Sequence, residues 1–253
     1  MILIQNKLLA FKEIEHGFTT RHNGFSSKPY NSLNCSHFVG DENEKVLKNR
    51  KLVLENFSFS SSLFVKQIHS NKVLNSEKII HSSKIFKADA LTSKTCGLAI
   101  FVTVADCAPI LFADIKINMV AVAHAGWRGA VKGITDNVIT EFLKQGSNPK
   151  DISVVIGPCI GPSSYEVEID MKSKAIKTDP CSELFFYSLP NLKKFMFDLP
   201  GYLINKLKSQ GIVKINWTGE NTYTEPQKFF SYRYSKNFNN GLTGRMMGII
   251  GLK

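Results

Sequence analysis

The stretch VADCAPILFADIKINMVAVAHAGWRG, residues 104–129, decides the fold of this 253-residue chain. Its apolar runs at 109–113 and 119–124 are separated by a short polar segment, a pattern typical of two neighbouring buried strands. Cys107 precedes the first run and His124 ends the second, although a branched aliphatic residue would suit a strand better at either position. The second run leads through a GWRG turn into a predicted helix. We therefore expect a thiol and an imidazole to meet at one edge of a sheet.

The rest of the chain continues this mixture of strands and helices, without an internal repeat or a linker. Apolar runs predict strands at 63–68, 98–104, 109–113, 119–124, 152–156 and 212–217. Apolar periodicity predicts helices at about 130–144 and 199–209, and the capping-box pattern of Ser163 to Glu166 predicts the start of another. The sequence thus predicts one α/β domain over residues 1–253, with mixed β-sheets and flanking helices.

Composition predicts a globular protein of the cytoplasm. Hydrophobic residues make up 43% of the chain and charged residues 21%. No stretch approaches the ~20 apolar residues that cross a bilayer, and the N-terminal segment lacks a signal-peptide pattern. The five cysteines are an odd number without CxxC spacing, which indicates a reducing compartment. We expect no association with membranes.

The net charge of +11 is carried mostly by lysine, which supplies 27 of the 32 basic residues. The lysines are spread along the chain without a basic block or a basic-aromatic module, so we expect no nucleic-acid partner. A basic surface also attracts anionic substrates. Four of the five arginines lie in turn-like segments, where a forked, bidentate donor can matter: Arg21, Arg128, Arg233 and Arg245.

A third reactive side chain, His69, ends another apolar segment, LFVKQIHSNKV. One thiolate and two imidazoles, from Cys107, His69 and His124, make a three-ligand zinc site whose fourth position stays open. Zinc in such a site lowers the pKa of bound water towards ~7. The long, irregular spacing also fits a buried free cysteine with two structural histidines.

Seven segments resemble one bacterial family in order along nearly the whole chain. They are HGFTTRHNGFS (16–26), SLNCSHFVGD (32–41), KQIHSNKV (66–73), ADALTSKTCGLAIFVTVADCAPILFAD (88–114), VAVAHAGWRGAVKGI (120–134), IGPCIGPSSYEV (156–167) and FFSYRYSKNFNNGLTGRMMGII (229–250). The chain is identified as similar to the YfiH-type laccase-domain family, also called polyphenol oxidase or purine nucleoside phosphorylase family proteins. The resemblance implies that His69, Cys107 and His124 are zinc ligands and catalytic residues, in a fold like that of the cytotoxic necrotizing factors.

The resemblance further implies phosphorolysis of adenosine, inosine, guanosine and methylthioadenosine, together with hydrolytic deamination of adenosine. Purine nucleosides and phosphate are then the partners, and we expect a monomer or a weak homodimer. Arg128 in the GWRG turn, with Arg21 and Arg233, offers candidate phosphate-binding groups. The general base is not identified, and Asp106 is the nearest carboxylate to Cys107 in the sequence. The H-x-E and P-C-x-x-C signature of zinc deaminases is absent from the sequence.

Three other interpretations stay open. Copper is the less favoured metal, because a blue multicopper oxidase needs roughly ten histidines and this chain has six. A cysteine hydrolase would use Cys107 as nucleophile and His124 as base, including for editing of peptidoglycan precursors, as reported for some family members. The third is a binding protein without turnover. Ser70 replaces a glycine common in the family, Asn221 stands where many members carry cysteine, and Asn23 takes the place of a turn glycine.

Overall fold

The computed structural model describes residues 3–189 and 194–253. The strands are β1 (Leu3–Ile4), β2 (Ile14–Thr19), β3 (Ser61–Phe64), β4 (Val73–Asn75), β5 (Ala90–Ser93), β6 (Leu98–Val104), β7 (Ala108–Asp114), β8 (Met119–Ala125), β9 (Ser153–Ile156), β10 (Glu166–Glu168), β11 (Phe186–Ser188), β12 (Lys194–Phe197), β13 (Lys214–Trp217) and β14 (Met246–Leu252). The α-helices are α1 (Asn43–Leu54), α2 (Trp127–Val131), α3 (Ile134–Lys144), α4 (Ile169–Thr178), α5 (Leu199–Ser209) and α6 (Tyr232–Phe238). Within these two ranges, none of the helices is both long and apolar enough to cross a bilayer.

The strands form three sheets. The six-stranded sheet has the order β13-β9-β7-β8-β5-β4, the five-stranded sheet β1-β2-β14-β6-β3 and the three-stranded sheet β10-β12-β11. Most neighbouring strands are antiparallel, but β13 and β9, β4 and β5, and β3 and β6 run parallel. These mixed sheets with flanking helices confirm the predicted α/β fold.

The six-stranded sheet lies between a helical layer and the five-stranded sheet. Ile110 and Phe112 of β7 pack among residues of α3 and α5, whereas Leu111 and Ala113 pack towards β6 and β14. Helix α1 covers the other face of the five-stranded sheet. Because side chains of a strand alternate between two faces and both faces of β7 and β8 are buried, these two strands are almost continuously apolar in sequence.

Strand register brings three chain segments to one edge of the six-stranded sheet. In the β7–β8 hairpin, Pro109 lies opposite His124, and Ala90 of β5 lies opposite Ala123 of β8. Strands β5 and β7 both begin where β8 ends. The residues just before β5 and β7 therefore meet the last residues of β8.

Most of the predicted strands are present in the structure at the positions of the apolar runs. Five predicted elements are confirmed to within two residues at each end: 98–104, 109–113, 119–124, 152–156 and 199–209. The strand predicted at 63–68 is wrong in its second half, since β3 ends at Phe64. The strand predicted at 212–217 begins only at Lys214, after a turn in which Gly211 has a φ of 83°.

Two helix predictions need correction. The helix predicted at 130–144 is two helices, α2 and α3, because Gly133 adopts a left-handed conformation with φ 81° between them. The capping-box prediction is wrong: Glu166 pairs with Met196 in the three-stranded sheet, and the helix begins only at Ile169. Sheet pairing overrides the local capping pattern there.

Candidate metal centre

The three predicted metal ligands meet at this sheet edge. Cys107 directly precedes β7, His124 lies near the end of β8, and His69 comes from the segment after β3 with a left-handed φ of 56°. Their ligand atoms all lie within 4.8 Å of one another. Ligand atoms around tetrahedral zinc stand roughly 3.5 Å apart, so small side-chain movements bring all three onto one ion.

The carboxylate of Asp89 holds two of the three ligands. Asp89 is fully buried just before β5, and its Oδ1 lies 2.9 Å from His124 Nδ1. The same carboxylate accepts hydrogen bonds from the backbone N–H groups of Ile68, His69 and Ser70, the last two at 2.9 and 2.7 Å. Since a carboxylate only accepts, His124 Nδ1 carries the proton and Nε2 keeps its lone pair for a metal.

Sequence reasoning missed Asp89. The one signal was a charged residue at the start of the buried strand segment ADALTS, but its partner His124 is 35 residues away. Ser70 adds a hydroxyl that donates to Asp89 Oδ2 at 2.7 Å. This chain therefore ties the His69 segment to Asp89 by one more hydrogen bond than a glycine would allow.

Gly126 leaves open the space between the ligands. A Cβ placed on Gly126 would stand 2.8 Å from His69 Nδ1 and 2.9 Å from Cys107 Sγ. A glycine is thus required where the backbone passes the two ligand atoms. The open space lies beside two imidazoles and one thiolate, and Asp89 orients the imidazole of His124. This arrangement fits a metal ion with one free coordination position.

Gly126→Ala is therefore expected to lower the zinc content of the purified protein by more than about tenfold while leaving all three ligands in place. The added methyl group occupies the space beside the ligand atoms. Metal content is measured by inductively coupled plasma mass spectrometry. Gly17→Ala is the matched control, because its Cβ makes ordinary contacts of 3.4 Å or more. Normal zinc content in Gly126→Ala would contradict this role for the glycine.

A cavity of about 550 Å³ opens over the trio. Its lining combines cationic and aromatic side chains: Arg128, Arg233, Lys236, Arg245, Phe38, Trp127, Tyr165 and Tyr232. Among the described residues, none of the four cationic side chains forms an ion pair with an acidic side chain. The cavity is therefore suited to an anionic ligand.

The sequence profile of the family described as "Multi-copper polyphenol oxidoreductase laccase" matches residues 15–253. The chain belongs to this family. Among its curated relatives, the Haemophilus influenzae "Purine nucleoside phosphorylase" is 34% identical over 238 residues, covering 93% of each chain. The Bacillus subtilis "Purine nucleoside phosphorylase YlmD" is also 34% identical, over 96% of this chain and 90% of the relative.

Two solved structures share the fold of this chain. A Neisseria meningitidis protein described as DUF152 superposes with a TM-score of 0.89 at 31% identity, covering 99% of both chains. YlmD from Geobacillus stearothermophilus superposes with a TM-score of 0.87 at 28% identity, over 98% of this chain and 94% of that one. The YfiH-type resemblance seen in the sequence motifs is confirmed.

The electrostatics of this laccase-type centre favour a thiolate. Burial alone would raise the pKa of Cys107, but His124 and His69 beside it lower that pKa to about 6. Burial alone would lower the pKa of His124, but the Cys107 thiolate and Asp89 raise it to about 9. Each group thus favours the charged form of the other, the thiolate of Cys107 and the imidazolium of His124. A metal ion would be held by this thiolate and by His124 Nε2, which has a free lone pair once its proton has left.

Of the three arginines predicted to bind substrate or phosphate, Arg128 and Arg233 line the cavity and Arg21 does not. Arg21 Nε and Nη2 donate to the carbonyl of Asn31 at 3.0 and 2.7 Å, and Nη1 donates to the carbonyl of Pro226 at 2.7 Å. Arg21 therefore joins two backbone segments. Its forked donors are used for structure, which the sequence could not distinguish from anion binding.

Two further cations of the cavity were not assigned from the sequence. Arg245 follows a turn and donates through Nη1 to the carbonyls of Thr243 and Gly244 at 2.9 and 3.0 Å. Lys236 is exposed on α6, one turn after Arg233. The turn position of Arg245 was visible in the sequence, but its place in the cavity depends on how β14 meets the other strands.

Proposed function

We propose that this protein is a metal-dependent purine nucleoside phosphorylase, which transfers the ribosyl group of a purine nucleoside to phosphate. One observation carries the proposal: the His69–Cys107–His124 cluster opens into a cavity lined by four cationic side chains, and none of the four forms an ion pair in the part of the chain that the structure describes. The relatives named purine nucleoside phosphorylase, at 34% identity, support an enzyme of this kind.

We assign zinc to the centre, held by His69, Cys107 Sγ and His124 Nε2. Bound there, zinc supplies a Lewis acid with one open coordination position. Two imidazoles and one thiolate also suit copper, which is the alternative metal. Asp89 keeps His124 in the tautomer that binds a metal and fixes the backbone of His69 through the hydrogen bonds described above.

The cationic side chains are proposed to hold phosphate against the ribose. Arginine offers forked donors that match phosphate oxygens, and lysine offers a point charge. Arg233 donates through Nη1 to the carbonyl of Glu166 at 2.6 Å, which keeps its guanidinium in a fixed position. Arg128 lies 4.4 Å from the Trp127 ring and Arg233 lies 5.5 Å from the Tyr165 ring. In the proposed reaction a phosphate oxygen attacks C1′ while the bond from C1′ to the purine breaks.

The aromatic side chains of the cavity are proposed to bind the purine. Tyr165 is half-buried, and burial raises the pKa of its hydroxyl, which stays protonated and able to donate a hydrogen bond. Trp127 and Phe38 add further aromatic surface. Adenosine, inosine, guanosine and methylthioadenosine are the proposed nucleosides. Adenosine deamination is proposed as a second reaction of the same centre.

The test is product analysis of zinc-loaded protein incubated with adenosine, with and without phosphate. Adenine together with ribose 1-phosphate, formed only with phosphate, is the expected result in mass spectrometry, and inosine in both samples would show deamination. Cys107→Ser, purified in the same way, is expected to lose the activity, whereas the exposed Cys96→Ser retains it. This function would be excluded if the wild type formed neither product, or if Cys107→Ser were as active as the wild type.

A cysteine hydrolase is the second candidate, and one contact favours it. In a hydrolase, Cys107 would be the nucleophile and His124 the base. Asp89 would orient that base, since its Oδ1 lies 2.9 Å from His124 Nδ1. The low pKa of Cys107 fits a nucleophile as well as a metal ligand. However, the hydrolase gives no role to His69, although Asp89 accepts its backbone N–H. The phosphorylase is therefore the favoured function.

A further inference from the structure

Asp106, the residue before the Cys107 ligand, is buried with both carboxylate oxygens in hydrogen bonds. Oδ1 accepts from Thr222 Oγ1 at 2.7 Å, and Oδ2 accepts from the backbone N–H of Arg233 at 2.6 Å. The hydroxyl of Ser231 also donates to this carboxylate. The carboxylate of Asp106 thus links the segment of Thr222 to the segment of Ser231 and Arg233.

These bonds join Cys107 to the start of α6. Ser231 caps that helix by accepting the N–H of Tyr234 at 3.0 Å, and Arg233 is its second residue. Lys236, three residues after Arg233 on the same helix, also lines the cavity. Through Asp106, the helix that carries Arg233 and Lys236 is thus attached to the residue next to a metal ligand.

The backbone of Asp106 is held as firmly as its side chain. Its φ is 82°, a left-handed conformation that a non-glycine residue adopts only where its surroundings require it. Its carbonyl accepts the N–H of Ile160 at 2.9 Å. This conformation turns the chain into β7 immediately after Cys107, while the side chain reaches the loop of Thr222 and the helix of Arg233.

We propose that Asp106 is a positioning residue that fixes the place of Arg233 relative to Cys107 and thereby sets the affinity for phosphate. The inference rests on the proposed function, in which Arg233 binds phosphate. Arg233 is held at two points, by Asp106 at its backbone N–H and by the Glu166 carbonyl at its guanidinium. Without Asp106, the backbone contact is lost, and Arg233 is held by the Glu166 carbonyl alone, without a link to the residue next to Cys107.

The test uses Asp106→Gly in the zinc-loaded full-length protein, because glycine removes the carboxylate and suits a φ of 82°. We expect the Kd for inorganic phosphate, measured by calorimetry, and the KM for phosphate to rise about tenfold or more. Zinc content and the KM for the nucleoside should stay near the wild-type values. Asp106→Asn keeps one acceptor for Arg233, tolerates the left-handed backbone and should restore most of the affinity.

Asp114 provides the matched control at the opposite end of β7. It is also buried and also accepts from one backbone N–H, of Lys116 at 2.9 Å, and from one hydroxyl, of Ser147. Asp114→Gly should lose stability without changing the Kd for phosphate. An equal rise of that Kd in both variants would show a merely structural role and overturn the inference.

The remaining outcomes separate the inference from the proposed function. If the wild type binds phosphate and Asp106→Gly binds it with the same Kd, the positioning role is overturned and the proposed function is not. If the wild type binds no phosphate at all, the proposed function fails, and this role fails with it. Should Asp106→Gly not fold, Thr222→Val removes a single anchor of the carboxylate. It should weaken phosphate binding about threefold, and an unchanged Kd in that variant also overturns the positioning role.

Discussion

His69→Ala is expected to remove the bound zinc and the enzymatic activity together. A centre with three protein ligands loses one of them, and two ligands hold zinc too weakly to survive purification. We expect zinc to fall from about one ion per chain to a small fraction, and kcat/KM to fall by more than about 100-fold. Metal content and turnover are measured on the same preparation. This result separates the metal centre from the hydrolase, because a cysteine nucleophile with His124 as base needs no third ligand.

His81→Ala is the control, since His81 is another exposed histidine and lies outside the cluster. It should keep both zinc and activity. Alkylation adds an independent measurement: iodoacetamide should react slowly with Cys107 in the zinc-loaded protein and faster after chelation, once the thiolate is free. Full activity of metal-free protein, or a substrate trapped covalently on Cys107, would reject the zinc enzyme in favour of the hydrolase.

Asp89→Ala is expected to have the second largest effect. It removes the acceptor of His124 Nδ1 and of the backbone N–H groups in the His69 segment, so buried donors are left without partners. Loss of such an outer partner typically weakens metal binding about 10–100-fold. Because a buried charged network is broken, the free energy of unfolding should fall by about 3–5 kcal/mol. Zinc affinity is measured by competition with a chelator, and stability by urea unfolding of the metal-free protein.

Ser70→Gly is the control for this network. It removes one hydroxyl donor and leaves the carboxylate of Asp89 with its other partners. We expect zinc affinity within about threefold of the wild type, since a single neutral hydrogen bond contributes little. Wild-type zinc affinity in Asp89→Ala would show that other contacts orient His124 and the His69 segment.

The fold was predictable where strands are buried on both faces. The runs at 98–104, 109–113 and 119–124 are almost entirely apolar because one face of each strand meets helices and the other meets a second sheet. Elements that depend on distant partners were not predictable. The strand at Glu166–Glu168 exists because it pairs with β12, which no local capping pattern can indicate.

The site was predictable only where its residues lie in or next to the apolar runs. Cys107, His124 and His69 stand out because each is a reactive side chain that precedes or ends a strand-like run, and the family resemblance then implied that the three bind one metal. Asp89 acts through a hydrogen bond to a residue 35 positions away, and Asp106 through one to Arg233, 127 positions away. Arg21 had the same turn-like surroundings in the sequence as Arg128, yet its donors serve two backbone carbonyls.

The three ligands differ in how firmly their backbone is held, and this has a kinetic consequence. Cys107 and His124 belong to a hairpin whose strands are buried along their whole length, whereas His69 is exposed. Local opening of residues 68–70 costs less free energy than opening of the hairpin. We therefore expect a metal bound to this trio to exchange with solution through departure of His69, while the hairpin keeps the other two ligands in place. In that case the lifetime of the bound metal depends on one short segment and not on global unfolding.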